Sequence, residues 1–390
     1  MLSVAEALEL VLGLVEPAST EVVPLRDSIG RTLAKDAIAT RNQPPFSASA
    51  MDGYAVHNSE VRAGAQFIVI GEAAAGHGFS GTVGAGQAIR IFTGAPVPDG
   101  LDRILIQEDV TRQNDVITLS ENHDTSHYIR HLGADFKVGD VLPAPCMIGP
   151  AEVSLAAAMN ISPVTVYRRP TVAILATGDE LVMPGEVPNE DQIVASNVFG
   201  LAAMCQSAGA NPRLLPIARD TPASLSQAFA QAKGADITVT VGGASVGDHD
   251  LVGAVAEAHG LQRAFYKIAM RPGKPLMAGH FQNGALLGLP GNPVSALVCG
   301  KLFLEPMIRK MLGDPAPNVT TRLLPLTAAL NANGPRAHYM RGHHKDQKVQ
   351  AFDRQDSALL SVFAQANCLI KRPPFDPARA IGEIVEVIEI

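Results

Sequence analysis

Between Ala235 and Pro293 three apolar runs each give way to a loop of glycine, proline and a polar or charged residue, and no other stretch restricts the fold as much. The first run, Asp236-Ile-Thr-Val-Thr-Val, reads as a buried parallel strand and leads into Gly242-Gly243-Ala244-Ser245-Val246-Gly247-Asp248-His249-Asp250. Glycines there let backbone N–H groups approach an anion, and the following helix adds its positive N-terminal end. The second loop, Met270-Arg271-Pro272-Gly273-Lys274-Pro275, holds two cations on a backbone stiffened by two prolines. The third, Pro290-Gly291-Asn292-Pro293-Val294-Ser295, follows the strand ending at Leu289 and enters a helix expected over 296–310. Strand ends of this chemistry place a binding crevice at the carboxyl edge of a parallel sheet.

The rest of the chain sets bounds on that crevice. At 390 residues, and about 150 per domain, two to four domains are expected. The formal net charge of −7, without a block of like charges, gives no electrostatic footprint for nucleic acid. Any anion site must therefore be a local concentration of Lys and Arg. Cys146, Cys205, Cys299 and Cys368 are far apart and form no CxxC pair, which suits a reducing, cytoplasmic setting. Glu6 and Glu9 interrupt the apolar N-terminus, where Val4, Leu8, Val11, Leu12 and Val15 share one helix face; neither a signal peptide nor a membrane span is expected.

Taken in order, the first helix is followed by short extended pieces and a polar crossing from Thr40 to Ser49. Asp52-Gly53 then reads as a hairpin turn between apolar flanks. Runs at 67–70, 88–92, 103–107 and 115–119, separated by glycine, read as a small all-β module, with Thr93 in the tight turn after one of them. Arg130 and Asp135 are close in sequence, and a structural salt bridge between them is expected. A helix over 150–160 returns the chain toward its first segment, so the β module is an insertion in a discontinuous domain. From Thr165 strands alternate with helices: strands at 171–175, 213–217 and 236–241, helices at 196–209 and 222–233, the latter capped by Thr221. That alternation implies a doubly wound α/β domain with right-handed crossovers. Pro315-Ala316-Pro317 links it to a compact β domain.

Glu180, Asp220 and Asp250 stand at three strand ends. Two such carboxylates within 4 Å would repel by about 4 kcal/mol at an effective dielectric of 20, so a counter-charge is needed, either basic side chains or magnesium with phosphate oxygens. The other reading is three unrelated helix caps. Lys267, Arg271 and Lys274 form a cationic group suited to a phosphate or another tetrahedral oxyanion. No histidine has trusted metal-ligand spacing, and no Ser/His/Asp or Cys/His set for nucleophilic catalysis stands out.

Six motifs in order resemble one family: Ser49-Ala-Met-Asp-Gly-Tyr-Ala, Phe92-Thr-Gly-Ala-Pro-Val-Pro, Ala176-Thr-Gly-Asp-Glu-Leu, Gly242-Gly-Ala-Ser-Val-Gly-Asp-His-Asp, Arg271-Pro-Gly-Lys-Pro and Gly288-Leu-Pro-Gly-Asn-Pro-Val-Ser-Ala. Together they are similar to the molybdopterin molybdenumtransferases, bacterial relatives of the gephyrin E domain. The resemblance implies a cytoplasmic homodimer that inserts molybdate into adenylylated molybdopterin and releases AMP, with Mg2+, and with the molybdopterin adenylyltransferase as a hand-over partner. It implies an α/β multidomain fold in four parts: an elongated N-terminal domain (1–45 with 139–165), an inserted β module (46–138), a molybdopterin-binding α/β domain (166–314) and a C-terminal β barrel (318–390). Carried over by motif, Asp52, Thr93, Arg130, Asp135, Glu180, Asp220, Asp250 and Lys267 are catalytic, the first four facing the cleft of the other subunit. Glu180, Asp220 and Asp250 would handle magnesium. Gly242, Gly243, Ser245, Pro290, Gly291 and Asn292 resemble a pterin and phosphate cradle. Arg271, Lys274, Ser295, Arg341 and Ser361 are molybdate candidates, although many relatives have lysine at the position of Arg271, so a planar fork replaces a point charge. Two other functions are compatible with parts of the chain. Molybdopterin adenylylation is run by stand-alone domains that lack the Ser49 and Thr93 motifs, and a gephyrin-like scaffold would need a peptide groove that nothing here marks.

Overall fold

The computed structural model describes residues 1–243 and 251–390; Ser245, His249 and Asp250 lie outside the described residues. At its centre is a six-stranded sheet in the order Asn211–Leu214, Thr171–Ala176, Ile237–Val241, Gly284–Leu289, Met277–Phe281, Gln262–Tyr266. The first four run parallel and Met277–Phe281 is antiparallel to both its neighbours, so the sheet is mixed rather than wholly parallel. The parallel strands are apolar on both faces because helices cover both, with Val172, Ile174, Val239 and Leu287 on one side and Leu175 and Leu286 on the other. Pro222–Gln231 is capped as expected, the Thr221 hydroxyl accepting the Ser224 N–H. The helix expected from Ala296 begins earlier, at Pro293, and passes through a π turn at Gly300–Leu304 before Glu305–Met311. Pro293 suits the first helical position, where no backbone donor is needed.

The first helix, Val4–Gly13, is closed by a capping box between Ser3 and Glu6 and buries Ala7 and Val11 in the core of this central unit. Beyond it, Thr20–Val23 and Thr32–Leu33 pair with Val164–Tyr167, and Ala37–Ile38 pairs with Val141–Leu142. Strands before and after the inserted module are therefore partners. The module is a six-stranded sheet around Gly53–Val56, Gln87–Ile91 and Gln66–Ala73.

Asp52-Gly53 does not turn a hairpin. The strand before it, Ala48–Ser49, pairs with Ile129–Arg130, whereas Gly53–Val56 pairs with Gln87–Ile91 and Arg103–Ile106. Only glycine fits at 53, since a Cβ there would lie 1.9 Å from the Leu105 carbonyl oxygen.

At the C-terminal end, Ala337–Lys345, Cys368–Arg372, Ile384–Glu389 and Thr321–Pro325 are neighbours in that order, and Lys348–Ala351 pairs with Ala337–Lys345. A bridge from Leu326 to Val349 joins the two ends into a small closed ring. Among the described residues no helix is long and apolar enough to cross a membrane.

Candidate active site

A cavity of about 590 Å3 opens at the carboxyl ends of the parallel strands. Its wall includes Thr177, Glu180, Asp220, Gly242, Gly243 and the turn Pro290-Gly291-Asn292. The first and third loops of the sequence thus meet at one edge, as strand order dictates: 171–176, 237–241 and 284–289 are adjacent. Gly242 and Gly243 have φ of 95° and 65°. A Cβ on Gly242 would lie 2.7 Å from the Thr177 carbonyl oxygen, and one on Gly243 would lie 2.2 Å from Val252 Cγ2. Bare backbone at these positions is a requirement of packing, and it also leaves the turn open to a ligand.

Thr177 is buried, and its hydroxyl has no hydrogen-bond partner among the described residues. Buried polar atoms are seldom left so, which marks this wall as a place for a bound polar group. The third turn is held by Asn197, itself part of the cavity wall, whose Nδ2 donates to the Gly291 carbonyl oxygen at 2.7 Å. Leu181, Ile193 and Val194 add apolar surface to the cavity wall, Ile193 and Val194 being exposed.

The acidic side is more crowded than the sequence indicated. Asp179, which no motif argument singled out, accepts the Asp220 backbone N–H at 3.1 Å on Oδ1. Desolvation and the negative charges of Asp179 and Glu180 push the Asp220 pKa above its ordinary value. The nearby guanidinium of Arg219 is committed to the carbonyls of Asp179 and Leu181 at 2.9 and 3.1 Å. Among the described residues no three carboxylates, histidines or cysteines converge closely enough to hold a metal alone. Mg2+, which keeps waters and takes substrate phosphates, needs only one or two protein carboxylates, and the Glu180–Asp220 pair suits it.

The second loop goes elsewhere. Met270–Arg271 leaves the central sheet and pairs in parallel with Ala337 and His338 of the C-terminal ring. Only Pro275 of that loop reaches the cavity wall. Arg271 borders a separate cavity of about 320 Å3 together with His338 and Arg372. Lys274 is exposed; Lys267 is half-buried, with Nζ 4.9 Å from the Tyr266 ring centroid. Arg341, three residues beyond His338 in the 337–345 strand, is fully buried; its Nε and Nη1 have no partner among the described residues, and burial together with Arg271 lowers its pKa. His338 Nε2 is likewise unpartnered, and burial with the charges of Arg271, Arg341, Arg372 and Arg336 pulls this imidazole down to about 4. Arg372 differs, being paired with Asp376 and donating to the Pro377 carbonyl at 2.7 Å.

Ser295 is buried in the helix after the third turn and Ser361 is exposed on the short helix Leu360–Phe363. The serine whose hydroxyl meets the cradle is Ser357, which accepts from Asn292 Nδ2 at 3.1 Å. Asp52, Thr93, Arg130 and Asp135 do not line the cavity of their own chain. Asp52 holds Thr93, while Arg130 and Asp135 are both exposed and are not joined among the described ion pairs. The expected salt bridge is therefore absent; two solvated charges gain little from pairing.

Three family models match in order: the MoeA N-terminal region (domain I and II) over residues 2–160, a probable molybdopterin binding domain over 173–310, and the MoeA C-terminal region (domain IV) over 324–390. The chain is 36% identical over 363 residues to the molybdopterin molybdenumtransferase of Haemophilus influenzae, covering 91% of this chain and 90% of that one. It is 35% identical over 388 residues to the protein of that name from a Nostoc species, covering 95% and 89%. Among solved structures, a molybdopterin biosynthesis MoeA protein from Pyrococcus horikoshii superposes with a TM-score of 0.86 at 27% identity, covering 100% of this chain and 99% of that one.

Proposed function

The chain belongs to the molybdopterin molybdenumtransferase family and is a transferase of molybdenum cofactor biosynthesis; from that premise we propose that its cavity takes adenylylated molybdopterin, into which molybdate is inserted with release of AMP. The observation that carries this reading is the convergence of Glu180 and Asp220 with the Gly242-Gly243 and Pro290-Gly291-Asn292 turns around one cavity whose buried Thr177 hydroxyl lacks a partner among the described residues. An acidic edge alone would repel a phosphate. An acidic edge beside glycine backbone, where no side chain blocks close approach, suits a phosphate that arrives with a cation.

In this mechanism Gly242, Gly243 and Gly291, with Ser245, form the cradle, and the Thr177 hydroxyl donates to a phosphate oxygen. Glu180, Asp220 and Asp250 would hold Mg2+, which when bound neutralises charge on the phosphate that leaves with AMP. The raised Asp220 pKa supports this assignment, because crowded carboxylates favour a cation. Molybdate is held by Arg341, Arg271 and Lys274, with Ser295 and Ser361 as hydroxyl donors. Support comes from the two partnerless N–H groups of the buried Arg341, since a desolvated guanidinium binds an oxyanion strongly. Asp52, Thr93, Arg130 and Asp135 act on the site of a second copy in a cytoplasmic homodimer, and Lys267 belongs to the catalytic set. The substrate is handed over by the molybdopterin adenylyltransferase.

An insertion assay with purified adenylylated molybdopterin tests the reading. Asp220→Ala should abolish molybdenum insertion while the protein stays folded; full activity in that variant would refute the assignment.

A further inference from the structure

The buried Arg341 and the cradle residue Asn292 sit in different units of the fold, and one short loop touches both. Arg341 Nη2 donates to the Asp356 carbonyl oxygen at 2.9 Å. Gln355 grips the same residue through its backbone, accepting the Arg341 N–H at 2.9 Å and donating to the Arg341 carbonyl at 2.9 Å. Ser357, the residue after Asp356, accepts from Asn292 Nδ2 through its hydroxyl at 3.1 Å and from the Val294 N–H through its carbonyl at 3.0 Å. Ala358 then forms part of the cavity wall. From guanidinium to cradle the path is therefore Arg341, Asp356, Ser357, Asn292, with a covalent bond in the middle and a hydrogen bond at each end.

We propose that residues 353–359 are a strap that couples oxyanion binding at Arg341 to ligand binding in the cradle, with Ser357 as the positioning residue. The inference rests on the reading above, in which Arg341 takes molybdate and the cradle takes the adenylyl phosphate. Two buried nitrogens of Arg341, Nε and Nη1, have no partner among the described residues and Arg271 repels the guanidinium, so its plane is held chiefly by the strap. An oxyanion that takes the idle N–H groups fixes that plane and with it the Asp356 carbonyl. Ser357, one bond further on, is then fixed against Asn292. Ordering the strap once serves both ligands, so each tightens the other by the same factor.

Titration calorimetry of the full chain with AMP and magnesium chloride, with and without saturating sodium molybdate, reads this factor. Molybdate should tighten AMP by at least about fivefold, and AMP should tighten molybdate equally. In Ser357→Ala, and in Gln355→Ala, which cuts the strap at its other end, the ratio should fall within about twofold of one, and Ser357→Thr should restore it. A purely structural role would weaken affinities and leave the ratio unchanged. Binding of both ligands to the wild type with no linkage, or linkage that survives both cuts, overturns the strap alone. Failure of wild type to bind molybdate or AMP at all overturns the functional reading, and the strap with it.

Discussion

Asp52 Oδ1 accepts both the backbone N–H of Thr93, at 2.8 Å, and its hydroxyl, at 2.9 Å. One carboxylate oxygen thereby fixes the turn after the 87–91 strand. The Thr93 bonds, together with Arg90, hold the Asp52 pKa below the usual carboxylate value. Asp52 is therefore a fixed anion at neutral pH.

Replacing Asp52 separates its two roles. Asp52→Asn keeps an acceptor for Thr93 and removes the charge, whereas Asp52→Ala removes both. Both variants should keep the wild-type circular dichroism spectrum, and both should lose insertion activity by about a hundredfold or more. A depressed carboxylate contributes stability above its unfolded pKa and loses it as pH falls. The acid limb of the Asp52→Ala melting profile should consequently be flatter than that of wild type. Wild-type turnover by Asp52→Asn would show that the charge does not matter.

Asp220 has the opposite sign. Its raised pKa means that ionisation costs folded-state stability, so this contribution worsens as pH rises above the unfolded value near 3.9. In metal-free buffer at pH 7 Asp220→Asn should melt at a higher temperature than wild type. Magnesium chloride should raise the wild-type melting temperature at pH 7, have little effect at pH 4, and have a reduced effect on the variant. Equal magnesium responses in the two proteins would argue against a cation at this edge.

Much of this edge was legible because turn chemistry is local. Glycine where φ is positive, proline at a helix start and an apolar run before each loop are all properties of neighbours in sequence, and they located Glu180, Asp220, Gly242, Gly243 and Asn292. What could not be read depends on packing between distant segments. Met270–Arg271 has the look of a strand-end loop, but it adds a strand to the C-terminal ring, because its hydrogen-bond partners lie at Ala337 and His338. Asp179 lies in a quoted motif, yet its role follows from the Asp220 N–H. Ser357, Gln355 and Asn197 matter through hydrogen bonds to residues distant in sequence, and no periodicity signals such bonds. The expected hairpin at Asp52-Gly53 failed for the same reason: both flanking strands found partners elsewhere.

Gly273 tests the join between the central sheet and the C-terminal ring. Its φ is 109°, and a Cβ would lie 2.5 Å from the buried Cys299 Sγ. Gly273→Ala should destabilise the protein by about 1–3 kcal/mol from backbone strain, and by more through the clash. Chemical denaturation measures this; a change below about 0.5 kcal/mol would mean that the loop relaxes freely.

Arg341 is a buried cation with two partnerless N–H groups. Arg341→Met, similar in length and uncharged, should melt within a few degrees of wild type or above it in oxyanion-free buffer, since removing an uncompensated buried charge is often stabilising. Wild type should gain about 2.7 kcal/mol when molybdate is present at a hundred times its Kd, and the variant should gain none. A molybdate response retained by Arg341→Met would move the oxyanion site elsewhere.

His338 makes the C-terminal ring acid-sensitive. It is buried beside Arg271, Arg341, Arg372 and Arg336, with its pKa pulled down from 6.5 to about 4. The imidazole is neutral in the folded protein and must take up a proton at a lower pH than in the unfolded chain. Its contribution to stability is thus fully present above pH 6.5 and is lost as pH falls toward 4, by about 3 kcal/mol at about 1.4 kcal/mol per tenfold change in proton affinity. His338→Asn cannot titrate in this range, so the difference in stability between wild type and variant should shrink by that amount between pH 7 and pH 4. Denaturation at a series of pH values reads the difference directly, and a gap that stays constant across the range would place the acid sensitivity outside His338.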